Sequence, residues 1–165
     1  LSRIHVKLMS TRSTVELDED DLKILGVLQG EGDISFSRLG NTVGIPTSTV
    51  HDKVKRLISE GIIKKFTIIV DERALGLNVV VLLGVETNAK LYKKVAEKLV
   101  DMVEVVEVYG TTAEFDLMIK IQAKNRDELT KILDKVRAID GIDDIYIFSV
   151  LEVFKDQHMR PIKLK

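Results

Sequence analysis

The chain reads as an α+β protein in two parts: an N-terminal three-helix (winged) helix-turn-helix unit, then a C-terminal βαββαβ domain. Three observations predict this. Within Ile34–Glu60, ISFSRLGNTVGIPTSTVHDKVKRLISE, two apolar repeats of helical spacing flank a break at Gly44. From Val79 onward, strand-like apolar runs alternate with two further helical repeats. Between the halves, Asp71–Asn78, which contains Gly76, breaks both patterns.

Leu1–Glu16 mixes Ser, Thr and basic residues without periodicity and reads as a flexible arm. The chain starts with Leu, and Met9 precedes Ser10, so the sequence does not decide whether residues 1–8 belong to the native protein. Asp18 is a good N-cap, and Glu19, Asp20 and Asp21 load the first turn where the helix dipole favours anions. Leu22, Leu25 and Leu28 supply the buried stripe of that first helix, which ends at Gly30 and Gly32. Phe36, Leu39 and Val43 mark a second helix over Ser35–Val43, and Gly44 breaks it. Val50, Val54, Leu57 and Ile58 give the third, Thr47–Glu60, one apolar stripe, and Gly61 stops it. Ile62–Val70 reads as a strand or a hinge. Residues 17–70 thus form one domain, 71–78 a linker and 79–165 a second domain.

In that second domain Val79–Val85 reads as a strand, and Leu91, Val95 and Leu99 mark a helix. Valine-rich Val103–Tyr109 is a strand, followed by a turn over Gly110–Glu114. Phe115, Leu117, Ile119 and Ile121 alternate with polar or flexible neighbours at a period of two. Leu129, Ile132, Leu133 and Val136 mark a second helix closed by Gly141, and Ile142–Val153 is the last strand. This order is the ferredoxin-like split βαβ arrangement. Two helices cover one face of a four-stranded sheet. Yet the last strand is apolar on both sides: Ile142, Tyr146, Phe148 and Val150 on one, Ile145, Ile147 and Leu151 on the other. A second copy of the chain is the expected cover.

Function is most legible on the third helix. Opposite its apolar stripe lie Ser48, Asp52, Lys55, Arg56 and Ser59, with Thr49 and Lys53 on one flank and His51 on the other. Short hydroxyls at the start and cations further along suit a helix entering the major groove of double-stranded DNA. Thr47, Ser48, Thr49, His51, Lys53, Lys55 and Arg56 are the candidate DNA contacts. Net charge is −1, but it is unevenly spread. Leu17–Ile34 holds six acids against Lys23, whereas Ser35–Val70 holds six cations against Asp52 and Glu60. That local excess is an adequate phosphate footprint; the alternative is a solvated helix face. Among 165 residues Cys is absent and the three His stand far apart, which excludes thiol chemistry and disfavours a metal site. No apolar run approaches a membrane span or a secretory signal, so a cytoplasmic protein with no membrane partner is expected.

Several short motifs carry a resemblance. They are Leu17-Asp18-x-x-Asp21-x-Lys23-Ile24-Leu25, Gly44-Ile45-x-x-Ser48-Thr49-Val50, Val54-Lys55-Arg56-Leu57 and Gly61-Ile62-Ile63. In the second domain they are Val108-Tyr109-Gly110, Phe115-Asp116-Leu117, Gly141-Ile142 and Val150-Leu151. In order and spacing the chain resembles the leucine-responsive regulator/AsnC (Lrp/AsnC, feast/famine) family from Leu17 to Phe154, the resemblance points to an archaeal member, and the composition suits a thermophile. The resemblance implies a transcriptional regulator, dimeric and assembled as an octamer, that senses a free amino acid between dimers, with no other cofactor. It places the effector at Gly110, Thr111, Thr112, Glu114, Phe115 and Asp116. Asp116 or Glu114 would then meet the ammonium, and backbone amides of Gly110–Thr112 the carboxylate. Without the resemblance this segment is a plain hairpin turn with polar filler.

The chain departs from the family pattern at three places. Pro46-Thr47 reverses the usual Ser-Pro, so Thr47 is expected to cap the third helix. Lys53 stands where Arg is frequent, and Ile145 and Ile147 stand where threonines near the effector are frequent. The competing function is an enzyme of the same body that decarboxylates a tetrapyrrole. Its polyanionic substrate wants a cationic or His-bearing cleft, whereas this turn is acidic and His51 lies on the reading helix. A non-enzymatic regulator is therefore expected; the operator and the effector's identity are not legible.

Overall fold

The computed structural model describes residues 4–6, 15–156 and 160–162. They fall into two compact units: one ends at Ile69 and takes in residues 160–162, and the other is Val70–Asp156.

In the first unit β1 (Ile4–Val6) pairs antiparallel with β2 (Val15–Leu17), so part of the segment expected as a free arm is a two-stranded ribbon. The rest of that expectation lies outside the described residues. Three helices follow: α1 (Glu19–Gly30), α2 (Phe36–Val43) and α3 (Thr47–Ser59). Asp18 caps α1 in a reciprocal box with Asp21, each carboxylate accepting the other residue's N–H at 2.8–2.9 Å. Ser35 caps α2, and Gly44 ends it with φ of 78°, the left-handed conformation the tight turn requires. Leu17, Ile24, Ile34, Leu39, Val50, Val54 and Leu57 form the core. The amides of Ile62 and Ile63 both donate to the Leu57 carbonyl, sealing the end of α3. Beyond them no strand forms up to Val79 among the described residues, so the strand alternative for Ile62–Val70 does not hold. Residues 160–162 return to α1: Ile162 N–H donates to Gln29 Oε1 at 2.8 Å, which corrects their assignment to the second domain.

The second unit has the order β3 (Val79–Thr87), α4 (Tyr92–Val100), β4 (Val105–Gly110), β5 (Leu117–Ala123), α5 (Arg126–Arg137), β6 (Ile142–Ser149). Its sheet is fully antiparallel in the order β4-β5-β3-β6, the ferredoxin-like topology. The last strand stops at Ser149, short of the expected Val153. The segment read as a linker belongs to this unit. Asp71 caps its turn by accepting from Arg73 N–H, and Glu72 accepts from Gln122 on β5.

Alternation decides the two faces. Val81, Leu83 and Val85 of β3 and Leu117, Ile119 and Ile121 of β5 are buried under α4 and α5 with Val95, Leu99, Ile132 and Val136. The opposite face carries Leu82, Tyr146 and Phe148, which are 37–45% exposed. In antiparallel register Leu82 lies beside Phe148 and Gly84 beside Tyr146.

Candidate DNA interface and effector loop

The N-cap of α3 is Pro46, without a side-chain hydrogen bond, and Thr47 is the first helical residue. Thr47 therefore does not cap the helix, a correction that leaves its hydroxyl exposed. Proline tolerates this place because a helix's first amides lack intrahelical partners in any case.

At 100° per residue, Ser48, His51, Asp52, Lys55 and Ser59 project within roughly 60° of one another's centre, and all five are exposed. His51 stacks edge-on against Phe36 of α2, ring centroids 6.0 Å apart, and its Nδ1 stands 3.6 Å from the Asp52 carboxylate. Arg56, Thr49 and Lys53 lie roughly 100–160° round from Lys55, on the flank.

That flank meets the start of α1. Lys53 Nζ lies 2.5 Å from Asp18 Oδ2 and 3.1 Å from Asp21 Oδ1. The Arg56 guanidinium lies 2.5 Å from Asp21 Oδ2 and 3.3 Å from Glu60. The Asp21 side chain has no exposed surface. Burial pushes the Asp18 carboxyl up, but the Lys53 ammonium and the Asp21 amide outweigh it and hold Asp18 below the ordinary range. Burial likewise lowers Lys53, and its two carboxylates more than compensate. Lys53 and Arg56, both expected as DNA contacts, are thus engaged by the acids of α1. Their spacing of three turns both toward the acids, a relation visible only once α1 and α3 are packed. The charge asymmetry is also partly internal, since Arg38 pairs with Glu31 at 2.8 Å. Among the described residues Lys55, Lys64 and Lys65 make no ion pair.

In the second unit, Thr111–Asp116 closes the β4–β5 hairpin. Thr111 N–H donates to the Asp116 carbonyl at 3.0 Å, its hydroxyl donates to the Phe115 carbonyl, and Asp116 N–H donates to Val85 O at 3.1 Å. The Thr111 amide, one of three expected to hold a carboxylate, is thus already engaged. Asp116 Oδ2 accepts from the Thr87 amide at 2.7 Å and the Thr87 hydroxyl at 3.0 Å. Asp116 is therefore a clip between loop and β3, with Oδ1 making no further hydrogen bond among the described residues. Glu114 and Thr112 are exposed.

Phe115 lies on the open sheet face, its ring 4.9 Å from Tyr146 and 5.9 Å from Phe148. Only glycine fits beneath it: a Cβ at Gly84 would sit 2.5 Å from the ring. The Tyr146 phenol is pushed up by the carboxylates of Glu86 and Asp144. Tyr92 is a neighbour of the loop that periodicity did not single out; its hydroxyl occupies the space of a side chain at Gly110. Ile145 and Ile147 do not face the loop. Ile145 packs on the helix-covered core, and Ile147 pairs with Leu83, whose side chain points the same way.

Comparison with known proteins follows this division. Residues 17–64 match the winged helix-turn-helix DNA-binding family and residues 79–159 the Lrp/AsnC ligand binding domain. The HTH-type transcriptional regulator FL11 of Pyrococcus furiosus is 40% identical over 89% of this chain and 97% of its own length. Ptr1 of Methanocaldococcus jannaschii, another HTH-type transcriptional regulator, is 35% identical over 88% of this chain and 99% of its own. Among solved structures, E. coli AsnC superposes with a TM-score of 0.80 at 28% identity, covering 87% of this chain and 97% of AsnC. A Neisseria meningitidis regulator solved with L-Met shares the fold, with a TM-score of 0.82 at 22% identity over 88% of this chain and 96% of its own. No helix among the described residues is long and apolar enough to cross a membrane. A helix-turn-helix unit joined to this ligand-binding fold, in the order and extent of these relatives, places the chain in the Lrp/AsnC family of transcriptional regulators.

Proposed function

We propose that the protein is a cytoplasmic, sequence-specific DNA-binding regulator whose output responds to a free amino acid. The observation that carries the DNA reading is the exposed face of α3, where Thr47, Ser48 and His51 precede Lys55. Short donors at the start of the helix reach base edges, and Lys55, unpaired among the described residues, reaches a phosphate. Lys55→Ala should weaken binding across all sequences and reduce the slope of log affinity against log salt by about 0.9. Ser48→Ala should instead change base preference. Anisotropy titrations over a salt series check both, and a slope unmoved by Lys55→Ala removes α3 from the reading role.

The effector reading rests on the Lrp/AsnC ligand binding domain and on the loop Gly110–Asp116. Glu114 and the outer oxygen of Asp116 are the acceptors for an ammonium. The regulator solved with L-Met supports an amino acid as the ligand class. The relatives are named as regulators, which weighs against the tetrapyrrole-decarboxylase alternative.

Assembly rests on the open sheet face, where Leu82, Phe115, Tyr146 and Phe148 form a contiguous apolar surface. A second copy covers it in an isologous dimer, and dimers associate further, with an octamer the order implied by family resemblance. Dimerisation also supplies two reading helices for a palindromic site. Leu82→Asp with Phe148→Asp should convert the full chain to a monomer in sedimentation equilibrium at micromolar concentration. An unchanged mass would exclude this face as the dimer contact.

A further inference from the structure

We infer that Asp18 and Asp21 act as an internal substitute for phosphate, holding Lys53 and Arg56 out of the DNA contact and so setting the salt dependence of DNA binding. The inference rests on α3 being the DNA-contacting helix. Three cations stand on α3 up to Arg56, yet only Lys55 projects from the open face without an ion pair among the described residues. The other two converge on α1 from one flank, where Asp21 binds both and Asp18 adds a second acceptor for Lys53. The Lys53 side chain keeps only 16% of its exposure.

A carboxylate and a phosphate offer these cations the same charge-assisted hydrogen bonds. The competition is unequal here. To reach Arg56, a phosphate must strip it from Asp21, whose carboxylate would remain in a site with no exposed surface. Lys53 would remain beside it at 3.1 Å, but drawing off both cations would leave a buried charge unpaired, which is strongly unfavourable. The same carboxylate is tied into the capping box of α1, so it cannot follow the cations outward. The clamp therefore survives DNA binding. Its functional consequence is restraint: fewer counterions are released, non-specific affinity is lower, and base contacts carry a larger share of recognition.

The test is a salt series on the full-length protein with a mixed-sequence DNA duplex. Lys53→Met should leave the slope of log affinity against log salt within a few tenths of wild type, whereas Lys55→Met should flatten it by about 0.9. Asp18→Asn with Asp21→Asn should steepen it by up to about twice that, and adding Lys53→Met should take back about half the gain. Asn retains N-cap ability at position 18. Should the double variant not fold, Asp18→Asn alone, which weakens one of the two acceptors of Lys53, should still steepen the slope, and a slope unmoved in it overturns the inference. A slope that falls by about 0.9 in Lys53→Met overturns the inference while leaving α3 as the reading helix. A slope unmoved by Lys55→Met overturns the reading of α3 and the inference with it.

Discussion

Asp21→Ala should lower the stability of the DNA-binding unit by about 3 kcal/mol, the lower end of the range for breaking a buried ion pair. The side chain has no exposed surface and accepts from Asp18 N–H, Lys53 Nζ and an Arg56 guanidinium nitrogen. Its removal leaves two cations facing a void and opens one half of the capping box. The lower end applies because Lys53 and Arg56 keep 16% and 36% of their side-chain exposure and can partly rehydrate. Asp21→Asn should lose less, because an amide oxygen still accepts from the cations. Urea unfolding followed by circular dichroism measures both, and a loss under about 1 kcal/mol for Ala would show that the cluster contributes little. The pH dependence follows from the neighbouring groups. Folding holds Asp18 below its ordinary value, so its stabilisation is complete above pH ~4 and is lost as pH falls through the lower folded value. Lys53 is raised, so its part is complete below pH ~10 and is lost only as pH rises through the higher folded value. The contact between α1 and α3 should therefore weaken at both pH extremes, on the acid side through Asp18 and on the alkaline side through Lys53.

Much of this architecture is legible in residue order, for local reasons. Asp18, Gly44 and the stripe Val50, Val54, Leu57 act within a few residues, so the cap of α1, the end of α2 and the buried side of α3 follow from spacing. The strict alternation of Leu117, Ile119 and Ile121 reveals the buried face of β5 for the same reason. What spacing does not reveal are relations across the fold. Lys53 and Arg56 look like DNA contacts on a helical wheel because the wheel omits α1. The hold of Asp116 on Thr87, 29 residues away, is likewise not legible from spacing. The side of the sheet that Ile145 and Ile147 take follows from the register of β6 against β3, where they pair with Val85 and Leu83. The two-strand ribbon was missed because three-residue strands carry almost no periodic signal.

Asp116 is where fold and function compete for one carboxylate, and the two roles separate by substitution. Asp116→Ala should destabilise the sheet unit by about 1.5–3 kcal/mol, the range for hydrogen bonds to a charged group. It leaves the Thr87 amide and hydroxyl without the acceptor they meet at 2.7 and 3.0 Å. Loss of an amino-acid response in that variant alone would be ambiguous, because the loop that carries Gly110–Phe115 is released as well. Asp116→Asn resolves this. Its amide oxygen keeps both Thr87 hydrogen bonds, with a change in stability under about 1 kcal/mol, yet it offers no negative charge to an ammonium. If Asp116 neutralises the effector, Asn should weaken binding by at least tenfold in calorimetric titrations with the twenty free amino acids. DNA affinity without effector should be unchanged, because the carboxylate belongs to a different unit from α3. Wild-type affinity in Asp116→Asn would leave Asp116 as a clip only and shift the ammonium to Glu114, which Glu114→Gln would then reveal.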